Sequence, residues 1–342
     1  MNTFSRRRLR NAFITWAMLA TVFLVVTLLA EFVLDRGQSR MATEFMILAS
    51  LVVAIQSYVG NSGLLSFGHV AFFAVGAYIA GLAAMSPEKK EQFLPNLPDW
   101  VISLEASLPL AILIAVIGVA IFAAFTGVPI SRMHQSVIPM ATLALLVMTH
   151  TVVNLWDDVT RGTRGLVSVP DLVTTWTVFA TAVAITGAAL LYAASPAGLR
   201  LQVVREDPIA AAALGIRVAA TRFTGWMVSA VLMAIGSAVW ALNSLAFGPE
   251  QFFFAQTFSL LAMLIIGGTG SVTGAIAGTA IVSVINESLR GLERGFAIGP
   301  IQVPELPGLI QLVVALALLL LLIWRPAGLF GNRELSIPRR RR

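Results

Sequence analysis

The chain has 342 residues, 58% of them hydrophobic and 12% charged, with a mean hydropathy of +0.86, which is too apolar for a soluble domain and typical of a polytopic membrane protein. It carries no cysteine, which excludes disulfides, thiol redox chemistry and cysteine-based metal sites, and its three histidines, His69, His134 and His150, are too scattered to form a ligand pair. Lys89 and Lys90 are the only lysines and precede Glu91, so no G-x-x-x-x-G-K-[ST] phosphate loop exists, and any ATP that drives this protein is hydrolysed by another chain.

The net charge of +6 does not point to nucleic acid, because of where it sits. Arg6, Arg7, Arg8 and Arg10 precede the first apolar run and Arg339 to Arg342 end the chain, the placement of cytoplasmic anchors. No cleavage site follows residues 12–30, so that run reads as a retained first span rather than a signal peptide.

Apolar runs near the membrane-spanning length predict helices over 12–34, 43–59, 67–85, 107–127, 135–153, 176–194, 221–243, 257–267, 273–291 and 308–324. An even number of passes with the N-terminus inside returns the C-terminus to the cytoplasm and places 195–220 there. Most of the 23 basic residues then lie inside, among them Arg132, Arg200, Arg205, Arg217, Arg222 and Arg325. Arg36, Arg40, Lys89, Lys90, Arg161, Arg164, Arg290 and Arg294 lie outside.

Two glycine-rich stretches interrupt the apolar pattern. The first carries Gly60, Asn61, Ser62, Gly63, Ser66 and His69; the second carries Gly267, Gly268, Thr269 and Gly270. The run 257–267 would extend roughly 15 Å, about half the hydrocarbon thickness, so it is expected to end within the membrane. Broken backbone at that depth must be buried in protein or line a wet cavity, and paired glycine-interrupted segments point to a transport pathway. These ten residues are the pathway candidates. Close packing is the competing reading for Gly270, Gly274 and Gly278, which stand four apart, whereas the polar groups of Asn61, Ser62 and Ser66 need partners. Arg161 and Arg164 lie in an external loop and read either as solvated charge or as an attractor for an anionic group.

Between the spans lies Arg200 to Arg222, a polar segment with a helix inside it. Asp207 can accept from free N–H groups of a first turn, Pro208 suits the first helical position, and Ala210 to Leu214 favour helix. Gly215 is the expected stop, giving about two turns, roughly 12 Å. On the residues alone, an ordinary capped connector between two spans is the favoured reading.

In order along the chain, Gly60 to Tyr78 (GNSGLLSFGHVAFFAVGAY), Val204 to Ile216 (VREDPIAAAALGI), Ile265 to Glu287 with its IIGGTGSV start, and Arg325 to Phe330 (RPAGLF) resemble the LivM-type permease subunit of branched-chain amino acid ABC transporters. The resemblance covers about residues 43–330. It implies an all-α polytopic bundle of about 8–10 transmembrane helices with glycine-broken or re-entrant segments and a cytoplasmic coupling helix. It also implies import of branched-chain amino acids by alternating access in the bacterial inner membrane, with both termini cytoplasmic.

The implied partners are a second, LivH-type permease, two cytoplasmic ATPase subunits and an extracytoplasmic solute-binding protein, beside membrane lipid and with no nucleic acid. ATP and magnesium are expected on the ATPases, with no cofactor in this chain and no enzymatic activity of its own. Arg205, Glu206, Asp207, Pro208, Ala211, Leu214 and Gly215 become the residues expected to couple to an ATPase. The expected organisation is a basic N-terminus at 1–11, one permease domain at 12–330 and a basic tail at 331–342.

Three positions depart from the family pattern. Pro208 replaces a frequent acidic residue, Arg161 replaces a glycine, and Thr273-Gly274-Ala275 lacks a proline. A urea or short-chain amide permease of the same family is the alternative reading, followed by a stand-alone secondary carrier.

Overall fold

The computed structural model describes residues 3–293, 296–298, 301–303, 306, 308–331 and 334, so Arg294 and most of the tail expected at 331–342 lie outside the described residues. Its helices are α1 (Thr3–Phe32), α2 (Arg36–Ser62), α3 (His69–Ala84), α4 (Pro87–Phe93), α5 (Asp99–Ile102), α6 (Leu108–Ile130), α7 (Ile138–Leu155) and α8 (Asp157–Thr160). There follow α9 (Thr175–Ala194), α10 (Pro196–Glu206), α11 (Pro208–Ala213), α12 (Val218–Asn243), α13 (Phe254–Gly267), α14 (Val272–Glu293) and α15 (Leu309–Trp324). One antiparallel pair of three-residue strands, β1 (Phe296–Ile298) and β2 (Ile301–Val303), joins α14 to α15.

All ten expected helices are present. Among the described residues seven are long and apolar enough to cross a membrane, α3 and α4 form a further pair bent by 117°, and α13 and α15 are shorter apolar helices. The protein is a multi-pass, all-α membrane protein. α12 packs against both α2 and α3 at the centre, and α2 is buried nearly all round from Met46 to Ser62, as expected of a helix with no polar face. The outer helices α1, α6 and α7 turn apolar side chains outward instead, Phe125 being 82% exposed, which suits a lipid solvent.

The first break differs from expectation in its limits. Asp35 caps α2 by accepting from Gln38 N at 2.9 Å, so the helix starts at Arg36, before the expected 43. It also runs on through Gly60, Asn61 and Ser62, and stops only at Gly63, whose φ of 68° ends the helix in the left-handed conformation. Gly60 is therefore helical, and its small size serves an approach described below.

The packing reading holds for Gly274 and Gly278 but not for Gly270, which lies in the turn before α14. A Cβ on Gly278 would stand 2.0 Å from the Met263 carbonyl oxygen, and one on Gly267 would stand 1.8 Å from that of Gly274. α13 and α14 thus touch backbone to backbone, which only glycine permits.

On the loop side, Arg161 sits at φ 61°, where glycine is the easy residue, which accounts for the family's glycine there. Its guanidinium donates to Gly165 O at 3.2 Å and lies 4.6 Å from the centre of the Phe93 ring, so the charge is used internally. The loop is tied to the α12–α13 connection by an isolated bridge of Leu166 with Phe247. Lys90 is also used internally, its buried ammonium donating to the carbonyls of Val101 and Leu104. Burial pulls its pKa below the ordinary lysine value, against a smaller opposing pull from Glu105.

Gly165, at φ 66°, has no room for a side chain, since a Cβ would stand 2.4 Å from Phe247 O. Gly165→Ala is expected to cost about 2 kcal/mol or more and lower the thermal midpoint in detergent. An unchanged midpoint would show that the loop yields freely.

Candidate coupling and permeation site

The segment between α9 and α12 is built from two capped helices in series. Ser195 Oγ accepts from Gly198 N at 3.2 Å with Pro196 at the first position, which starts α10. The same grammar repeats at Asp207, whose carboxylate accepts from Ile209 N at 2.8 Å and Ala210 N at 3.0 Å ahead of Pro208, which starts α11. Gly215 ends it at φ 81° with Ile216 N bonded to Ala211 O at 3.0 Å. Sequence reasoning found α11 and missed α10, although Ser195-Pro196 carries the same signal. α11 has six helical residues, about 9 Å, shorter than expected.

The expected coupling residues divide by exposure. Ala211 is fully buried against its own chain, while Leu214 is 76% exposed and Ile209, not among the expected residues, is 82% exposed. Pro208 is half-buried, and Glu206 pairs with Arg205 at 3.4 Å with its own side chain turned to solvent. This short helix and its C-cap thus show two large exposed apolar side chains, Ile209 and Leu214, beside a carboxylate.

Arg205 and Gln202, on the inward side of α10, reach the first break. Arg205 Nη1 donates to Gly60 O at 2.8 Å, one of the last-turn carbonyls of α2. The stem of Arg205 fits because Gly63 has no side chain; a Cβ there would stand 2.7 Å from Arg205 Cγ. Gln202 Nε2 donates to Asn61 Oδ1 at 2.8 Å and to Ala193 O at 3.2 Å, and Asn61 Nδ2 donates to Ser57 O at 2.9 Å. Gln202 was not singled out from the sequence; on a helix not foreseen, nothing marked its inward face.

The remaining groups of the first break are buried and mostly partnered. Ser62 Oγ accepts from Leu64 N at 3.2 Å, Thr142 Oγ1 accepts from Phe67 N at 3.2 Å, and Ser66 Oγ lies 2.9 Å from His69 Nδ1. His69 is enclosed by Tyr58, Phe72 and Trp226, with ring centres 5.6, 5.8 and 5.2 Å away. Among the described residues its Nε2 has no hydrogen-bond partner, nor has the indole nitrogen of Trp226. His69 is thus an occluded group inside an aromatic box.

The second break lies directly against the first. A Cβ on Gly60 would stand 2.3 Å from Thr269 O, so the two glycine-rich stretches, about 200 residues apart, meet backbone to side-chain-free backbone. The chain's own C-terminal segment occupies the other side. Leu329 N donates to Ile266 O at 3.1 Å and Phe330 N to Gly267 O at 3.0 Å, which satisfies the carbonyls freed at the end of α13. Glu334 then accepts from Val272 N at 2.7 Å, Thr273 N at 3.1 Å and Thr273 Oγ1 at 2.7 Å, a carboxylate at the positive end of α14.

Gly267 and Gly268 are therefore buried under the tail, with Gly268 at φ 115°, and Thr269 and Gly270 remain half-exposed beside Gly60. The structure brings Arg205, Gly60, Gly63 and Thr269 together and sets Ile209 and Leu214 on the outer surface.

A family model described as branched-chain amino acid transport system / permease component matches residues 37–323. The high-affinity branched-chain amino acid transport system permease proteins LivM of Salmonella typhimurium and of Escherichia coli K12 are each 24% identical to the chain over 340 residues. Each alignment covers 90% of this chain and 73% of the relative.

Proposed function

The chain belongs to the family of branched-chain amino acid transport permease components, and from that premise we propose that it imports branched-chain amino acids as one membrane subunit of an ATP-driven complex. The observation that carries the mechanism is the bond from Arg205 to Gly60 O, which ties the docking element at α11 to the place where both breaks meet. In this reading Ile209 and Leu214 enter a groove of a cytoplasmic ATPase, α10 moves with α11, and the junction around Gly60 and Thr269 opens or closes in step. A second permease, two ATPases that carry ATP and magnesium, and an extracytoplasmic binding protein complete the complex. Residues 12–330 act as one permease domain in the inner membrane, with both termini and 195–220 cytoplasmic.

The chemistry of the spans supports an external energy source. Glu44 lies exposed near the start of α2, and Glu287 is paired with Arg290 at 3.1 Å near the end of α14, so neither is set as a buried proton-carrying carboxylate. Asn61, Ser62, Ser66 and His69 are the pathway groups available to a zwitterionic head once the junction loosens, with helix-end backbone groups beside them.

Proteoliposomes holding the chain with its second permease, ATPases and binding protein should accumulate leucine, isoleucine or valine only when ATP is supplied. Uptake without the ATPases would instead make the chain a stand-alone carrier. Uptake of urea or short amides with none of the amino acids would replace the substrate and keep the mechanism.

A further inference from the structure

Beside α11 a cleft of about 490 Å³ is lined by Arg200 of α10, Arg217 at the start of α12, and Thr221. Both arginines are exposed, and neither has an ion pair among the described residues. A second groove of about 350 Å³ shares Arg217 and Ala220 with the first and runs toward the end of α6, past Phe223 and Val128, with Arg132 on its rim. Its character is different: Val128, Ala219, Ala220 and Phe223 line it beside Ser131 and the two arginines, and it continues onto the outer face of α6, where Val128 is 45% and Phe125 82% exposed. A cationic compartment and an apolar one thus meet at Arg217, on the face of the molecule that also carries α11.

We propose that this pair of clefts binds an anionic phospholipid, its phosphate held between Arg200 and Arg217 and one acyl chain laid along Phe223 and Val128. Two guanidinium forks match a phosphate diester, and Thr221 adds a hydroxyl donor. The occupant is a lipid and not a free anion because the cationic cleft alone would serve phosphate, whereas the adjoining groove needs an apolar chain attached to it. Basic clefts between membrane helices at the membrane surface suit acidic lipid headgroups on general electrostatic grounds. The site is separate from the junction at Gly60 and does not depend on which solute is carried. A lipid seated here would rest against Leu214 and Gly215, the end of the docking element.

The test uses the full chain purified in neutral detergent, with lipid binding followed by native mass spectrometry. Phosphatidylglycerol should be retained in clear preference to phosphatidylcholine. The double variant Arg200→Ala/Arg217→Ala should bind phosphatidylglycerol about thirtyfold more weakly, from the usual worth of two basic residues at an anionic surface, with phosphatidylcholine binding unchanged. Val128→Trp, which fills the groove and leaves both arginines, should also weaken phosphatidylglycerol. Arg36→Ala/Arg40→Ala, within the first two turns of α2, should leave it unchanged. If the double variant fails to fold, Arg217→Gln alone carries the test, with an expected loss of about fivefold. Equal retention of both lipids by the parent protein, or undiminished retention by the arginine variants, would overturn the proposal. So would displacement of phosphatidylglycerol by millimolar inorganic phosphate, which would mark a free-anion site.

Discussion

Gly278→Ala and Gly267→Ala are each expected to remove the folded chain from the membrane. In both cases the added methyl would meet backbone and not a movable side chain: Met263 O at 2.0 Å, or Gly274 O at 1.8 Å with Gly278 N at 3.0 Å. No rotamer change relieves such a contact, so α13 and α14 must separate. Separation exposes the carbonyls that the tail satisfies at Ile266 and Gly267 and loosens Thr273 from Glu334. The expected cost is at least about 3 kcal/mol, at the upper end of overpacking effects because two backbones must move together. The fraction recovered monodisperse in detergent reads this directly. Gly291→Ala provides the contrast, since among the described residues nothing lies within 4 Å of its Cβ position and alanine favours the helix. It should leave recovery unchanged, and equal damage from all three variants would show that packing between α13 and α14 is not the cause.

Arg205→Ala is expected to separate transport from ATP hydrolysis. The guanidinium makes a charge-assisted bond to Gly60 O at 2.8 Å, and bonds of this kind are worth about 1.5–3 kcal/mol, so the expected loss of transport is about ten- to hundredfold. Ile209 and Leu214, proposed to enter the ATPase, are untouched, and ATP hydrolysis by the assembled complex should continue. Arg205→Lys retains one charged donor on a similar stem and should recover part of the transport. A merely structural role for Arg205 would lower transport and hydrolysis together and would show no such recovery pattern. Because Gly63 accommodates the arginine stem, Gly63→Ala should act in the same direction, through a Cβ only 2.7 Å from Arg205 Cγ.

Much of this arrangement was legible in the sequence because membrane helices announce themselves. A run of apolar residues of spanning length has few alternatives, so all ten long segments were placed, and Asp207-Pro208 with Gly215 marked α11 by ordinary capping chemistry. What was not legible was contact across distance. Gly60 reads as a helix breaker, yet it is helical and small for the sake of Thr269 more than 200 residues later. Glu334 reads as one charge in a basic tail, yet it caps α14. Nothing local distinguishes either role, since each depends on a partner brought close only by folding. Arg161 shows the converse: the family pattern flagged its position, and the left-handed backbone explains why glycine is usual there.

In the proposed mechanism α10 and the end of α2 move as one body and so deliver motion from α11 to the junction of the breaks. The absence of native cysteines makes a direct test possible. Asn61→Cys and Gln202→Cys replace the pair now bonded at 2.8 Å, and a short bifunctional thiol reagent can bridge them in the reconstituted complex. If the two segments travel together, the bridged complex should keep ATP-driven transport to within about twofold of the unbridged one, as expected when a cross-link lies inside a single moving unit. Transport abolished by a disulfide-containing, reducible bridge and restored on its reduction would mean that α10 must slide against the first break and that the two do not move as one body.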